Sequence, residues 1–281
     1  MNYLHAYHAG NFADVHKHAV LLALLSALKR KPAPLSYVET HAGAGRYDLT
    51  GPAAIRTGES NAGVRLVLSR AADDSLLADY RSVVAAMNPE GGANLYPGSP
   101  WIAAHMLGSA DRLLLCEREA TVAEALRGLF ARDERVAVHQ RDGYEALRAL
   151  LPPPIRRGLV LIDPPWEDAQ ESRQLLKQLA AGLARWDTAT WAIWYPIKLR
   201  ADVQVFHRGL KALDARRGIL ATELCIHPDD SALRLNGSGL AVLNPPLGME
   251  RTLAALGQVL HRALAQSRFA RSELHVLKPR P

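Results

Sequence analysis

The chain is poor in the residues that staple small folds: its 281 residues include 2 cysteines, Cys116 and Cys225, which lie far apart in apolar strands. That excludes a disulfide framework and argues against a zinc cluster. Phenylalanine is scarce, at 4 residues, and no internal repeat or low-complexity block interrupts the chain. Long apolar runs are lacking too. The longest, Ala19 to Leu28, falls short of the roughly 20 residues that a bilayer demands, and Lys29-Arg30-Lys31-Pro32 follows it without a small-residue cleavage site. The expectation is a cytoplasmic, unsecreted protein without a membrane partner.

What is present is a large potential core, since 48% of the residues are hydrophobic. The net charge of +6 is compatible with an anionic partner, although the basic residues are spread among solvated faces. Four histidines near the start, His5, His8, His16 and His18, have no cysteine or carboxylate cluster at ligand spacing, so no metal is expected.

The informative stretch is Gly158-Leu159-Val160-Leu161-Ile162-Asp163-Pro164-Pro165-Trp166. A glycine and four apolar residues without polar alternation read as a central strand covered on both faces. Pro164 and Pro165 lack amide hydrogens and end it. The resulting stiff loop holds a carboxylate, free carbonyls and a flat ring where open α/β sheets bind ligands. Asp163 and the Pro164 carbonyl can each accept a hydrogen from an exocyclic amine while Trp166 stacks on the ring that carries it. A second copy, Asn244-Pro245-Pro246-Leu247, follows the apolar run Gly239 to Leu243; lacking an aromatic, it is read as a strand terminator.

Taken in order, Asn11 with Asp14 predicts a capped helix from Phe12 to Lys29. A strand, Leu35 to Thr40, leads into His41-Ala42-Gly43-Ala44-Gly45-Arg46, where small residues let the backbone approach a ligand. Asp48 stands where a nicotinamide-binding fingerprint wants its third glycine. Residues 47–110 read as an inserted helical subdomain within a single domain spanning 1–281, with a helix expected from Ser69 to Met87. Strands at Arg112 to Glu117 and Arg135 to Gln140 also end near acids. Glu117 can accept from two ribose hydroxyls, and Asp142 can bind an adenine amine with Gly143 leaving room. Further strands are expected over Trp191 to Tyr195, Gly218 to Ile226, Gly239 to Leu243 and Glu273 to Leu277. The recurrence of Glu117, Asp142 and Asp163 on one edge supports an α/β fold with a mostly parallel sheet and helices on both faces. Lys198 and Arg200 follow an apolar run and belong at that edge.

The Asp-Pro-Pro-aromatic loop resembles that of amino-methyltransferases that use S-adenosylmethionine, with Trp166 where tyrosine or phenylalanine is commoner. The wider set is closer still. His8-Ala9-Gly10-Asn11, Asp14-Val15-His16-Lys17-His18, Thr40 to Tyr47, Tyr96-Pro97-Gly98-Ser99-Pro100, Ile162 to Pro165 and Trp194-Tyr195-Pro196 together resemble the bacterial 23S rRNA (adenine(2030)-N(6))-methyltransferase family. That resemblance implies a class I methyltransferase fold with a mostly parallel, seven-stranded sheet and a small helical insertion, S-adenosylmethionine as cofactor and an unpaired or flipped adenine of 23S rRNA as substrate. It places Lys17, His18, His41, Gly43 and Ser99 around the cofactor's methionine, Glu117 at its ribose, and Asp142 and Gly143 at its adenine. Asp163 becomes catalytic and also borders the cofactor. Tyr3, Pro164, Pro165, Trp166, Lys198 and Arg200 face the RNA, and the enzyme is expected to act as a monomer. Two alternatives remain at this point: a DNA adenine methyltransferase, and a non-catalytic RNA-binding assembly factor with a degenerate cofactor site.

Overall fold

The computed structural model describes residues 7–166 and 170–281, so Tyr3 lies outside the described residues. Helix α1 (Phe12–Lys29) starts where the sequence predicts. The Asn11 side chain accepts hydrogen bonds from the Ala13 and Asp14 amides, both at 2.9 Å, and satisfies donors that a helix start leaves open. The first four turns of α1 are buried almost all round, as in a helix that lies inside a protein.

The buried strand β1 (Ser36–Glu39) opens the sheet. The chain then departs from it through β2 (Arg46–Asp48), α2 (Pro52–Thr57), a 3-10 turn at Glu59–Ala62, α3 (Val64–Arg70), a second 3-10 turn at Ser75–Leu77, and α4 (Ala78–Met87). It returns through β3 (Leu95–Pro97), which pairs antiparallel with β2 and closes the excursion. The single helix expected from Ser69 to Met87 is replaced by two shorter ones. Asp74 accepts from the Leu76 amide and starts a new element in the gap between them. Helix α5 (Ser99–Met106) packs on α1 and on the next strand, outside the β2–β3 closure.

From there strands and helices alternate: β4 (Arg112–Glu117), α6 (Ala120–Leu129), β5 (Val136–Gln140), α7 (Gly143–Ala149), β6 (Gly158–Ile162), α8 (Glu171–Arg185), β7 (Thr190–Ile197) and α9 (Arg200–Lys211). The chain ends with β8 (Ile219–Cys225), β9 (Gly237–Leu243), α10 (Met249–Leu264) and β10 (Arg271–Lys278). The sheet order is β10-β8-β9-β7-β6-β1-β4-β5. The five adjacent strands β7-β6-β1-β4-β5 are parallel, while β9 runs antiparallel to both β7 and β8. The sheet has eight strands where seven were expected, because the last strand pairs along the free edge of β8. An unpaired β8 would leave its backbone donors and acceptors exposed. One apolar cluster, containing α1 and α10, covers one face; another, built around α8 and α9, covers the other. This is the class I methyltransferase architecture. Among the described residues no helix is long and apolar enough to cross a membrane.

The topology separates the two Pro-Pro copies. Leu243 at the end of β9 pairs with Trp191 near the start of β7, so Asn244 lies at the opposite edge of the sheet from Asp163. Asn244 is fully buried and has a left-handed backbone at φ 53°. Its side chain donates to the Asp187 and Ala189 carbonyls at 2.9 and 3.0 Å and accepts from the Arg217 amide at 2.9 Å. It ties three loops together. Asn244→Ala should therefore cost about 3 kcal/mol in denaturant unfolding while methyl transfer per folded molecule stays unchanged. A transfer defect at constant stability would show that the wrong copy has been set aside.

Candidate active site

The parallel register brings the acidic strand ends to one edge, with Glu39 beside Leu115 and Leu161, and Glu117 beside Gln140. Asp163 follows β6 at this edge, and the neighbouring pair Ile162–Ile193 puts Trp194 next along β7. The centre of the site is an ion pair between α1 and the loop after β6. Lys17, in the second turn of α1, donates to Asp163 Oδ2 at 2.5 Å and lies 2.9 Å from Asp14 Oδ1. Burial opposes the charge on Lys17, but the Asp14 and Asp163 carboxylates outweigh it and hold its pKa well above the ordinary value of 10.5. Lys17 is therefore a cation at neutral pH.

The loop after Asp163 is shaped to present a ring. Trp166 adopts φ 55°, a strained conformation for a bulky residue, and its Nε1 donates to the Trp194 carbonyl at 3.2 Å. Its ring meets Phe206 edge-on, with centroids 5.5 Å apart. Pro164 is buried and Pro165 is exposed.

The other predicted residues fall into two groups. Glu117 accepts from the Gly43 amide at 2.9 Å and the Glu119 amide at 2.8 Å, so it holds the glycine loop to the end of β4. Gly43 has φ 63°, and a Cβ there would meet the Tyr47 hydroxyl at 2.3 Å. Ser99 donates to Glu39 at 2.5 Å and Tyr37 donates to the same carboxyl at 2.8 Å. Burial lifts the Glu39 pKa to about 8 against the lowering effect of those bonds and of Lys17. The half-buried His41 pairs with Thr40 Oγ1 at 2.8 Å, and desolvation holds its pKa down at about 4, leaving the ring neutral.

Several predicted residues also do structural work. His18 is buried and pairs with the Tyr96 hydroxyl of β3 at 2.8 Å. Asp142 caps α7 by accepting from the Tyr144 and Glu145 amides. A Cβ at Gly143 would strike the Thr40 carbonyl at 2.4 Å, so the space that this glycine leaves is taken by the end of β1. Lys198 projects to solvent. Arg200 donates to Glu223 at 2.6 Å and Asp229 at 2.5 Å, so two carboxylates already neutralise its charge. Burial raises the Glu223 pKa, but His275 and Arg200 more than reverse it and bring it to about 2.

Sequence reasoning passed over Asp14 and Glu39 as site residues. Asp14 had a signal, because it sits three positions before Lys17 on one helix face. Glu39 stands four positions before Gly43 of the glycine loop, but nothing in the sequence reveals its bonds to Tyr37 and Ser99.

Known proteins resemble this chain over nearly its whole length. The model of the family described as "Ribosomal RNA large subunit methyltransferase D, RlmJ" matches residues 32–275. The chain is 39% identical over 264 residues to Ribosomal RNA large subunit methyltransferase J of Escherichia coli (strain K12), covering 94% of each chain. It is 38% identical over 266 residues to the protein of the same name from Haemophilus influenzae, again covering 94% of each. The crystal structure of a protein from Legionella pneumophila superposes with a TM-score of 0.86 at 33% identity, covering 96% of this chain and 98% of that one. An α/β sheet of methyltransferase order, a lysine-held aspartate before Pro-Pro-Trp at its carboxyl edge, and relatives matched over nearly the whole length lead to one conclusion: the chain belongs to the RlmJ family of ribosomal RNA large subunit methyltransferases.

Proposed function

We propose that this methyltransferase transfers a methyl group from S-adenosylmethionine to the exocyclic amine of an adenine in 23S rRNA. The observation that carries this reading is the Lys17–Asp163 pair beside the Pro164-Pro165-Trp166 loop. A carboxylate paired with an ammonium is an acceptor only, which suits it to an N–H of the target amine. The Pro164 carbonyl takes the second N–H, leaving the nitrogen lone pair directed away from both acceptors. Trp166 offers a ring on which a flipped-out base can stack, in place of its neighbours in the RNA helix.

The donor set fits the cofactor. Glu117 offers carboxylate oxygens to ribose hydroxyls, and Lys17, His18, His41, Gly43 and Ser99 line the approach to its methionine portion. Asp142 and Gly143 border its adenine, and Asp163 borders both ligands. S-adenosylmethionine, when bound, supplies a methyl group on a sulfonium. The chain's own residues hold the amine in line for direct transfer, and the proton lost from nitrogen passes to Asp163 or to water. Tyr3 and Lys198 are assigned to the RNA. Arg200, already paired with Glu223 and Asp229, contributes chiefly by fixing the edge on which Lys198 stands.

The test is to incubate the protein with labelled S-adenosylmethionine and, in separate reactions, unmodified 23S rRNA, duplex DNA and a protein extract, then digest the products to nucleosides. Label is expected in N6-methyladenosine from the rRNA alone. Label in DNA would move the assignment to a DNA adenine methyltransferase, and cofactor binding without label in any acceptor would overturn this reading.

A further inference from the structure

The helical excursion closes over the start of the chain, and its contacts form one connected path to Asp163. The path begins at Glu59, on the 3-10 turn between α2 and α3. Glu59 Oε1 pairs with His8 Nδ1 at 2.9 Å, and Oε2 accepts from Asn11 Nδ2 at 2.9 Å. Because a carboxylate only accepts, it fixes which way the Asn11 amide faces: the NH2 toward Glu59 and the oxygen toward the first amides of α1. That oxygen is the cap of α1. The next link is Asp14, whose Oδ2 accepts from the Gly10 amide at 2.9 Å while Oδ1 lies 2.9 Å from Lys17. Lys17 completes the path at Asp163, 2.5 Å away.

The excursion grips the same short segment at other points. Thr57 donates to the Tyr7 carbonyl at 2.6 Å, the Arg56 guanidinium lies 5.1 Å above the Tyr7 ring, and the Val64 amide donates to the Gly10 carbonyl at 2.8 Å. A Cβ at Gly63 would stand 2.0 Å from that carbonyl, so this glycine permits the closest approach of the two segments. These contacts have no part in closing the sheet. Their common effect is to set where α1 begins, and hence where Lys17 meets Asp163.

We propose that Glu59 is a positioning residue for methyl transfer, acting from the excursion through Asn11 and Asp14 on the Lys17–Asp163 pair. The proposal rests on the reading of Asp163 as the acceptor of the target amine. Misplacing a reacting group by a fraction of its hydrogen-bond length is enough to slow an in-line transfer markedly.

The test is steady-state methylation of 23S rRNA by the full-length protein, with rates expressed per folded molecule from circular dichroism. Asn11→Asp keeps a cap for α1 but turns a second carboxylate toward Glu59. It should lower kcat by about tenfold, with KM for the cofactor changed by less than about threefold. Adding Glu59→Gln removes that repulsion and can donate to the new aspartate, so the double variant should recover kcat to within about threefold of the wild type. A merely structural link would move the unfolding midpoint and leave kcat per folded molecule where it was. A normal kcat in Asn11→Asp, or a double variant slower than either single one, would overturn the proposal. If Asn11→Asp does not fold, Glu59→Ala alone decides: kcat per folded molecule is expected to fall about tenfold, and an unchanged kcat overturns the proposal. Failure of the underlying reading is a separate result, visible as full activity in Asp163→Ala.

Discussion

Asp163→Ala should lower kcat for rRNA methylation by about 10² to 10⁴, the range in which a positioned carboxylate contributes to transfer at nitrogen. The substitution removes the proposed acceptor for one amine hydrogen and releases Lys17 from its second partner, while the strand behind it stays intact. Asp163→Asn is the informative companion. An amide oxygen can still accept from the amine and from Lys17, so its loss should be smaller, about tenfold. Equal losses in the two variants would mean that the negative charge matters more than the acceptor geometry. Wild-type rates in both would remove Asp163 from the chemistry.

Replacing Lys17 has a different signature, because it damages stability and rate together. In Lys17→Met, Asp14 and Asp163 face the same pocket without a cation, and removing one partner of a buried pair typically costs about 3 to 5 kcal/mol. The thermal midpoint should fall by on the order of 10 °C, with kcat per folded molecule reduced as well. The pH dependence has a fixed sign. The folded pKa of Lys17 lies above its ordinary value of 10.5, so the stability it contributes is complete below that value and is lost only as pH rises through the folded pKa. Between pH 6 and 9 this group should therefore give the wild type a flat stability profile. A wild-type midpoint that drops within that window in step with Lys17 titration, absent from Lys17→Met, would contradict the assignment.

The charge network at the far side of the site shows why a basic residue near a sheet edge is not by itself an RNA contact. Arg200 follows β7 as expected, yet Glu223 and Asp229 lie 2.6 and 2.5 Å from its guanidinium, and His275 joins Glu223 from β10. Among the described residues Glu223, Glu273 and His275 also come close enough together for a metal ion. Arg200 already supplies the cation there. Its exposed neighbour Lys198 keeps a charge that is free of these carboxylates.

Local chemistry made much of the molecule legible from residues alone. Apolar runs ending in acids located β4 and β6, two prolines ended β6, and Asn11 started α1 where the chain needed a cap. The same local rules overextended at Ser69 to Met87, where Asp74 restarts the helix, and they rated two Pro-Pro loops by their neighbours without knowing which edge each occupied. Antiparallel pairing of β9 with β7 settled that by putting Asn244 at the opposite end of the sheet. The partners of Asp163 and Asn11 lay beyond local reading: Lys17 precedes Asp163 by 146 positions and Glu59 follows Asn11 by 48. The sequence by itself determined the strands of the main sheet, their acidic ends and the stiff aromatic loop, though not the short β2–β3 pair, because backbone sterics and hydrophobic periodicity act over a few neighbouring residues. Only the tertiary structure decided which ions pair and which polar groups orient them, because desolvation and Coulomb attraction depend on distance in space and not on separation along the chain.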